Sequence, residues 1–425
     1  MLDRWRGLAA NLTVTSPLPG DGLHANPPPM IHMQTGLDRF FTDYLDLVRN
    51  RRVGLICSPA SVDVVYRHAA DLFAACPAFR LTALFGPQHG IRGETQDNMI
   101  EWEGWARDAR LGVPVYSLYG KTRQPTPAML ADVDVLVFDV PDVGTRVYTF
   151  IWTMALAMQA AKAQGIPFIV LDRPNPIGGL DIEGAVLERD WASFVGMYPL
   201  PMRHAMTVGE LARMFNETEA IGCELHVVPL AGWSRPQWFD TTWLPWVMPS
   251  PNMPTLDTAT VYPGMVLLEG TVLSEGRGTT RPFEIFGAPF IDPYDLAAAL
   301  EPLQLPGVHL RPMWFQPTFN KFTGQLCGGL QLHVQNRATF RSYRTAVEIL
   351  KAIRRLYPRE PLWSQPPYEY VFDKVPFDVI AGQPRLRAAI EADADWADIA
   401  QADEPALTDF CRRRADYLLY EPRSA

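Results

Sequence analysis

The amino-acid sequence predicts an α/β protein with a Rossmann-like parallel sheet domain and a second, smaller α+β auxiliary domain. Three stretches carry this prediction, namely residues 81–94, 133–148 and 168–179. In each, an apolar segment rich in Leu, Val, Ile and Phe runs directly into a loop with Pro and Gly. Short apolar segments of this kind are typical of parallel strands that are buried on both faces.

The remaining elements of the first domain alternate between helix and strand. Apolar residues from Leu37 to Val48 recur at helical spacing, residues 149–165 form a crossover helix that Gly165 ends, and Thr207 with Glu210 forms a capping box before helix 211–217. The predicted strands are 53–57, 81–85, 113–120, 133–139, 168–172 and 225–230. This alternation is typical of a doubly wound sheet.

Changes in amino-acid composition and pattern along the sequence divide the chain into three parts. We predict a loose N-terminal arm at 1–33, the Rossmann-like α/β domain at 34–284 and the α+β auxiliary domain at 285–425. The segment 231–290 is rich in Trp, Pro, Gly and Thr, so we expect long functional loops there. In the auxiliary domain we predict helices at 294–301, 338–356 and 405–419, and antiparallel strands at 309–315 and 328–334.

Composition and motifs exclude several classes of protein. The 425 residues carry a formal net charge of −9 without a basic run, which argues against nucleic acid or an anionic membrane as the main partner. No stretch approaches the roughly 18 apolar residues of a membrane helix, and no apolar signal segment is visible, so we expect a cytoplasmic protein without a membrane span. Without a GxGxxG motif, a phosphate loop or clustered histidines, we expect neither an organic cofactor nor a metal.

Polar residues follow the predicted strands at the point where each strand ends. Because parallel strands release their loops at the same edge of a sheet, we expect these residues to converge on one site. They are Gln88, His89, Arg92, Glu94, Asp139, Asp142, Arg146, Asp172, Arg173 and Asn175.

Several candidates have a simpler alternative role. Asp142 is equally suited to cap a helix or turn the chain, and a lone histidine such as His204 is usually a core residue. Glu275 and Arg277 lie among glycines, where the backbone can approach a ligand closely, although a surface ion pair is their alternative. Glu94 has no evident turn or cap role and is the better candidate for an acid.

Seven sequence blocks resemble the NamZ-type exo-β-N-acetylmuramidases, glycoside hydrolase family 171. The blocks are LFGPQHGIRG, VPVYSLYGKTRQPT, VLVFDVPDVGTRVYTF, LDRPNPIGG, RHAMT with the following GELA, PSPNMPT and EGTVLSEGRGTTRPFE, and the resemblance runs from about 36 to beyond 335. It implies a cleft between a Rossmann-like and an auxiliary domain, and release of N-acetylmuramic acid from the non-reducing end of peptidoglycan fragments without an organic cofactor.

One residue departs from the family pattern. Family members commonly have Glu where this chain has Gln88, and an amide cannot donate or accept a proton as a carboxyl group does. Either Glu94 or another nearby acid takes over, or the chain is a non-catalytic muropeptide or sugar-binding protein. A phosphate- or nucleotide-dependent transferase is a further alternative that the missing phosphate loop disfavours.

Glycosidic cleavage requires an acid for the leaving oxygen and a second group at the anomeric carbon. We predict Glu94 as the acid, with Asp139 or Glu275 as the base or electrostatic partner. The carboxylate of the lactyl group on the sugar would bind an arginine, because a guanidinium matches a carboxylate in shape. The candidates are Arg92, Arg146, Arg173 and Arg277, and the other predicted substrate contacts are Gln88, His89, Asp142, Tyr148, Asn175, His204 and Asn252.

Overall fold

A six-stranded parallel sheet forms the centre of the computed structural model, which describes residues 33–96 and 99–421. The sheet order is β3-β2-β1-β4-β5-β6, and every neighbouring pair is parallel. This confirms the predicted Rossmann-like sheet. The strands are β1 Arg52–Cys57, β2 Arg80–Gly86, β3 Val115–Ser117, β4 Val135–Asp139, β5 Phe168–Leu171 and β6 Leu225–Val228.

Helices separate these strands along the chain, except between β2 and β3, where the described residues contain no helix. The crossover helix ends at Gly165, whose φ of 66° is left-handed and therefore suits glycine. The capping box is present, because Thr207 Oγ1 accepts from the Glu210 amide and the Thr207 amide donates to Glu210 Oε2. The helices are α1 Gly36–Asp43, α2 Ala69–Ala75, α3 Pro127–Leu130, α4 Phe150–Gln164 and α5 Val208–Thr218.

The segment 231–290 contains a helix that the sequence analysis missed. Helix α6 spans Leu256–Met265 and continues as a 3-10 turn, Val266–Gly270. Its residues from Thr258 onward are buried, so no amphipathic pattern marks it. Gly264 lies so close to the start of the next long helix that an added Cβ would be 2.0 Å from the Ser342 carbonyl oxygen.

The C-terminal part contains a three-stranded antiparallel sheet in the order β7-β9-β8, which confirms the predicted smaller α+β region. One apolar cluster extends from α4 through the residues of this sheet and beyond, so the boundary placed at 284/285 stays a prediction. The predicted arm lies outside the described residues except for Met33. The remaining elements are β7 Ile285–Ala288, α7 Pro293–Leu300, β8 Val308–Phe315, β9 Cys327–Val334, α8 Ser342–Leu356, α9 Pro376–Ala381, α10 Arg385–Glu391 and α11 Trp396–Arg414.

Two faces of the parallel sheet are covered by different helices. Leu37 and Phe40 of α1 pack with Phe73 of α2 on one face, whereas α4 and α5 cover the other. The loops that carry the polar residues lie at the carboxyl edge of the sheet. Across the part of the chain that the structure describes, no helix is both long enough and apolar enough to span a bilayer.

Candidate active site

A pocket lies beyond the carboxyl ends of β2 and β4, against segments from the C-terminal part of the chain. Its empty volume, part of which is open to solvent, is about 490 Å³. Its polar and charged lining residues are Gln88, His89, Tyr148, Thr149, Ser250, Asn252, Glu269, Arg277, Tyr368 and Glu369. Rings of Tyr262 and Phe283 contribute to the apolar remainder.

The loop after β2 contributes two neutral polar groups to this pocket. Gln88 Oε1 accepts from the Thr149 hydroxyl over 2.7 Å, which leaves the Gln88 NH₂ group as a donor. His89 Nδ1 lies 2.9 Å from the Thr95 carbonyl oxygen, so Nδ1 carries the proton and Nε2 is an acceptor. Burial lowers the pKa of His89 to about 4, so the ring is neutral at physiological pH.

Charged side chains of alternating sign form another wall of the pocket and the layer directly behind that wall. Arg277 Nη2 lies 2.5 Å from Glu269 Oε1, and Arg277 Nε lies 3.2 Å from Glu275 Oε1. Lys321 Nζ lies 2.9 Å from Glu275 Oε2, and the Tyr368 hydroxyl donates to Glu269 Oε2 over 2.8 Å. Two cations therefore lie against two buried carboxylates, as buried charges require.

Glu369 differs from these carboxylates because no basic side chain is bonded to it. Its Oε2 accepts a hydrogen bond of 2.8 Å from the Tyr119 hydroxyl, and its side chain is almost completely buried. Burial, and then the negative charge of Glu269, raise the pKa of Glu369 to about 7. The pocket thus contains two carboxyl groups in different surroundings, Glu269 beside Arg277 and Glu369 beside Tyr119. The sequence analysis singled out neither residue: Glu269 opens the block EGTVLSEGRGTTRPFE, in which Glu275 and Arg277 were chosen instead, and Glu369 lies in none of the seven blocks.

Five of the predicted site residues line this pocket: Gln88, His89, Tyr148, Asn252 and Arg277. Asn252 Nδ2 donates to the Gln96 carbonyl oxygen over 2.9 Å, which orients its amide. Of the four arginines predicted to bind a carboxylate, Arg277 alone lines the pocket.

Asp142 and Arg173 line a separate and mostly apolar pocket at the same edge of the sheet. Asp142 Oδ2 accepts from the Gly144 amide over 2.7 Å, so Asp142 has the turn role given above as its alternative. The same oxygen lies 3.1 Å from Nε2 of His204, a fully buried residue whose Nδ1 accepts from the Met206 amide. His204 is therefore a core histidine that holds the Asp142 turn.

The structure pairs Asp139 with Arg173 in a buried bidentate contact. Arg173 Nε lies 2.6 Å from Asp139 Oδ1, and Arg173 Nη2 lies 2.9 Å from Asp139 Oδ2. Arg146 is also fully buried, where it donates to the carbonyl oxygens of Ala185, Leu200 and Ile380. These three charged residues join loops to one another, and none of them lines the pocket of Gln88 and Glu369.

The other predicted residues also lie outside that lining. Glu94 is exposed and accepts from the Arg92 amide over 3.0 Å, while the Arg92 guanidinium pairs with Asp108. Asn175 uses both ends of its amide on the backbone, donating to Met206 O and accepting from Ile177 N. Glu275 supports Arg277 from behind the lining.

Asp172 is bound by hydrogen bonds and not by the neighbouring Arg173 guanidinium. Asp172 is fully buried and accepts from the Arg173 amide, whereas the Arg173 guanidinium binds Asp139. The Asp172 carboxyl group also accepts from the Gly209 amide and the Thr207 hydroxyl at the start of α5. Among the residues from 33 to 96 and from 99 to 421, no group of three His, Cys, Asp or Glu side chains is arranged to hold a metal ion.

A pair of carboxyl groups in one pocket, Glu269 and Glu369, is the arrangement that glycoside hydrolases use. Sequence comparison gives the family. The model described as Exo-beta-N-acetylmuramidase NamZ, N-terminal, matches residues 53–257, and its C-terminal counterpart matches residues 260–420. The chain belongs to the NamZ family of exo-β-N-acetylmuramidases, as the resemblance of its sequence blocks predicts.

Similar proteins cover nearly the whole chain. The peptidoglycan β-N-acetylmuramidase NamZ of Bacillus subtilis (strain 168) is 48% identical over 388 residues, which are 91% of each protein. A crystal structure of a DUF1343 family protein from Bacteroides fragilis is 36% identical, with a TM-score of 0.83 over 92% of this chain and 100% of that one. A second such protein from the same organism is 26% identical, with a TM-score of 0.71 over 92% and 99% of the two chains.

Proposed function

We propose that this protein is an exo-acting glycosidase that releases N-acetylmuramic acid from the non-reducing end of peptidoglycan-derived fragments. Membership of the NamZ family and the 48% identity to the Bacillus subtilis enzyme support this activity. The structural observation that carries the proposal is the pocket in which Glu269, Arg277 and Glu369 meet the neutral donors and acceptors of Gln88 and His89.

The groups of this pocket suit the substrate. N-acetylmuramic acid differs from N-acetylglucosamine by a lactyl ether that carries a carboxylate, and the guanidinium of Arg277 is the cation placed to bind it. The Gln88 amide, His89 Nε2 and the Asn252 amide oxygen would bind sugar hydroxyls and the N-acetyl group. The rings of Tyr148 and Tyr262 offer apolar surface to the sugar ring.

The reaction needs a carboxylate near the anomeric carbon as well as an acid. Glu269 fits the first role, because Arg277 and Tyr368 hold its carboxylate in place at the pocket wall. Asp139 and Glu275 were the sequence-based candidates for this role. Asp139 is committed to Arg173 and Glu275 to Lys321, and neither lines the pocket.

A matched pair of substrates tests the proposal. We expect hydrolysis of a chromogenic β-N-acetylmuraminide, and a value of kcat/KM for the corresponding β-N-acetylglucosaminide that is lower by about a hundredfold or more. Losing a charged partner in a desolvated pocket costs a few kcal/mol, which corresponds to that ratio. Equal rates on the two substrates would contradict recognition of the carboxylate by Arg277.

The presence of Gln88 supports one alternative, a muropeptide or sugar-binding protein without catalysis. Saturable binding of the muraminide with no turnover, measured by calorimetry and by release of the chromophore, would favour that alternative. The cytoplasmic location expected from the sequence stays a prediction, which fractionation of the native cells would test.

A further inference from the structure

We infer that Glu369 is the general acid of this site and protonates the leaving oxygen. The Gln88 amide cannot perform this proton transfer. The inference rests on the proposed function, since it assigns a step of that hydrolysis. It differs from the sequence-based assignment, which gave the acid to Glu94.

The lining of the pocket restricts the choice of acid. Two of the described residues that line it have carboxyl groups, Glu269 and Glu369. Glu269 Oε2 accepts from the Tyr368 hydroxyl and Glu269 Oε1 lies against Arg277 Nη2, so each of its oxygens already faces a donor. Neither oxygen is therefore placed to carry a proton to the leaving group. Glu94 is exposed on its own loop and outside the lining, so Glu369 is the remaining acid.

A tight turn brings the Glu369 carboxyl group to the pocket. The Tyr368 and Val371 backbones exchange two hydrogen bonds, of 3.0 and 2.8 Å, around a two-residue turn. Its central residues, Glu369 and Tyr370, have φ values of 43° and 67°. Gly and Asn usually occupy such positions, and non-glycine residues kept in this conformation cluster at functional sites.

Contacts with the loops near β3 hold this turn in place. The Tyr119 hydroxyl binds Glu369, the Tyr370 hydroxyl donates to Glu101 over 2.8 Å, and the Glu369 amide donates to Met99 Sδ. The Arg123 guanidinium lies over the rings of Tyr119 and Tyr370, at 4.0 and 4.7 Å from their centroids. The position of the carboxyl group is therefore fixed from both sides, as proton transfer requires.

The protonation state of Glu369 suits a donor near neutral pH. Burial and the charge of Glu269 raise its pKa to about 7, while the Tyr119 hydrogen bond and the charges of Arg123 and Arg277 act in the opposite direction. A pKa close to the working pH gives a group that is both available as the acid and able to release its proton.

The step balances as ordinary hydrolysis. The bond from the anomeric carbon to the leaving oxygen breaks, its electron pair stays on that oxygen, and the oxygen receives the proton of Glu369. Water supplies the hydroxyl group of the product sugar, and its second proton passes to a carboxylate of the site. No oxidant, reductant or further reactant takes part.

Leaving-group dependence tests the role of Glu369. A dinitrophenolate departs without a proton, whereas the sugar alkoxide released from an N-acetylmuramyl-N-acetylglucosamine disaccharide requires one. We expect Glu369→Gln to lower kcat/KM for the disaccharide by about a hundredfold to ten-thousandfold, and for a 2,4-dinitrophenyl β-N-acetylmuraminide by less than about tenfold. Glu103→Gln, at an exposed glutamate outside the pocket, is the matched control.

The possible outcomes separate this inference from the proposed function. Equal losses on both substrates in a folded Glu369→Gln protein, or an undiminished rate on the disaccharide, would overturn the inference while the proposed function stands. A wild-type protein inert on both muraminides would overturn both.

If the Glu369→Gln variant does not fold, the pH dependence of the wild-type protein tests the inference instead. Its kcat/KM should fall with rising pH near 7 on the disaccharide and show no such fall on the dinitrophenyl substrate. The same alkaline fall on both substrates would overturn the assignment of Glu369.

Discussion

The Tyr119 hydroxyl donates a hydrogen bond of 2.8 Å to Glu369 Oε2 and joins residues that are 250 positions apart in the sequence. Tyr119 is fully buried and Glu369 nearly so. A donor aimed at a carboxylate stabilises its ionised form, whereas burial stabilises the protonated form. Tyr119 therefore limits the rise in the pKa of Glu369 and keeps it near neutrality.

Tyr119→Phe should remove this restraint. The pKa of Glu369 then rises, and the alkaline limb of the pH profile of kcat/KM on the disaccharide moves to higher pH. A hydrogen bond to a charged group contributes about 1.5–3 kcal/mol, so the shift should be on the order of one pH unit or more. Initial rates between pH 5 and 9 measure it, and a limb that stays in place or moves to lower pH would contradict the assigned contact.

The sequence was sufficient for the frame of the molecule because its strands have a local pattern. The apolar runs that end at Gly86, Asp139 and Leu171 identify three strands of the sheet without reference to any other residue. Gln88, which lines the pocket, follows directly from the first of these strands. Helix α6 is buried on all sides from Thr258 onward, so no amphipathic periodicity revealed it.

Half of the pocket could not be predicted in this way. Glu269 and Glu369 come from segments far beyond the last strand of the sheet and reach the pocket through tertiary packing. Conversely, Asp139 and Arg146 occupy positions typical of a site, but partners that are distant in sequence bind them as structural residues. A local pattern places a residue at the sheet edge and does not say which group it will face there.

Glu94→Gln distinguishes the sequence-based acid from the structure-based one. Glu94 is exposed and contacts the Arg92 amide in its own loop, so we expect kcat on the disaccharide to stay within about threefold of the wild type. A fall of two to four orders of magnitude with unchanged substrate affinity is the usual scale for a lost general acid. That result would return the role to Glu94 and remove it from Glu369.

Gln88→Glu restores the residue that the family pattern leads one to expect. Its carboxyl group would lie in the same pocket as Glu269 and Glu369, and close carboxyl groups raise one another's pKa. We expect the alkaline limb of the pH profile to move to higher pH and kcat on the disaccharide to change by less than about tenfold. A variant that gains turnover from an inert wild type would instead support the binding-protein alternative.

The contact of Asp139 with Arg173 predicts a stability effect rather than a catalytic one. Arg173→Met leaves the fully buried Asp139 carboxylate without its charged partner, which should lower the free energy of unfolding by about 3–5 kcal/mol. Adding Asp139→Leu should recover most of that loss, because an apolar pair of similar volume replaces the ion pair. Urea unfolding of the wild type, the two single variants and the double variant measures the coupling energy between Asp139 and Arg173. Losses of the two single variants that simply add in the double variant would contradict the ion pair.

Glu369 also links the stability of the fold to pH. Its pKa is about 7 in the folded protein, whereas an exposed glutamate has an ordinary pKa of 4.5, so between these values the folded state binds more protons than the unfolded state. The free energy of unfolding of the wild type, relative to Glu369→Gln, should therefore be highest below pH 4.5 and fall as pH rises towards 7. Two and a half pKa units correspond to a total change of about 3 kcal/mol. Urea titrations of both proteins at pH 5, 6, 7 and 8 give this difference. A difference that is constant with pH, or that grows as pH rises, would contradict the raised pKa, whatever the outcome of the kinetic experiments.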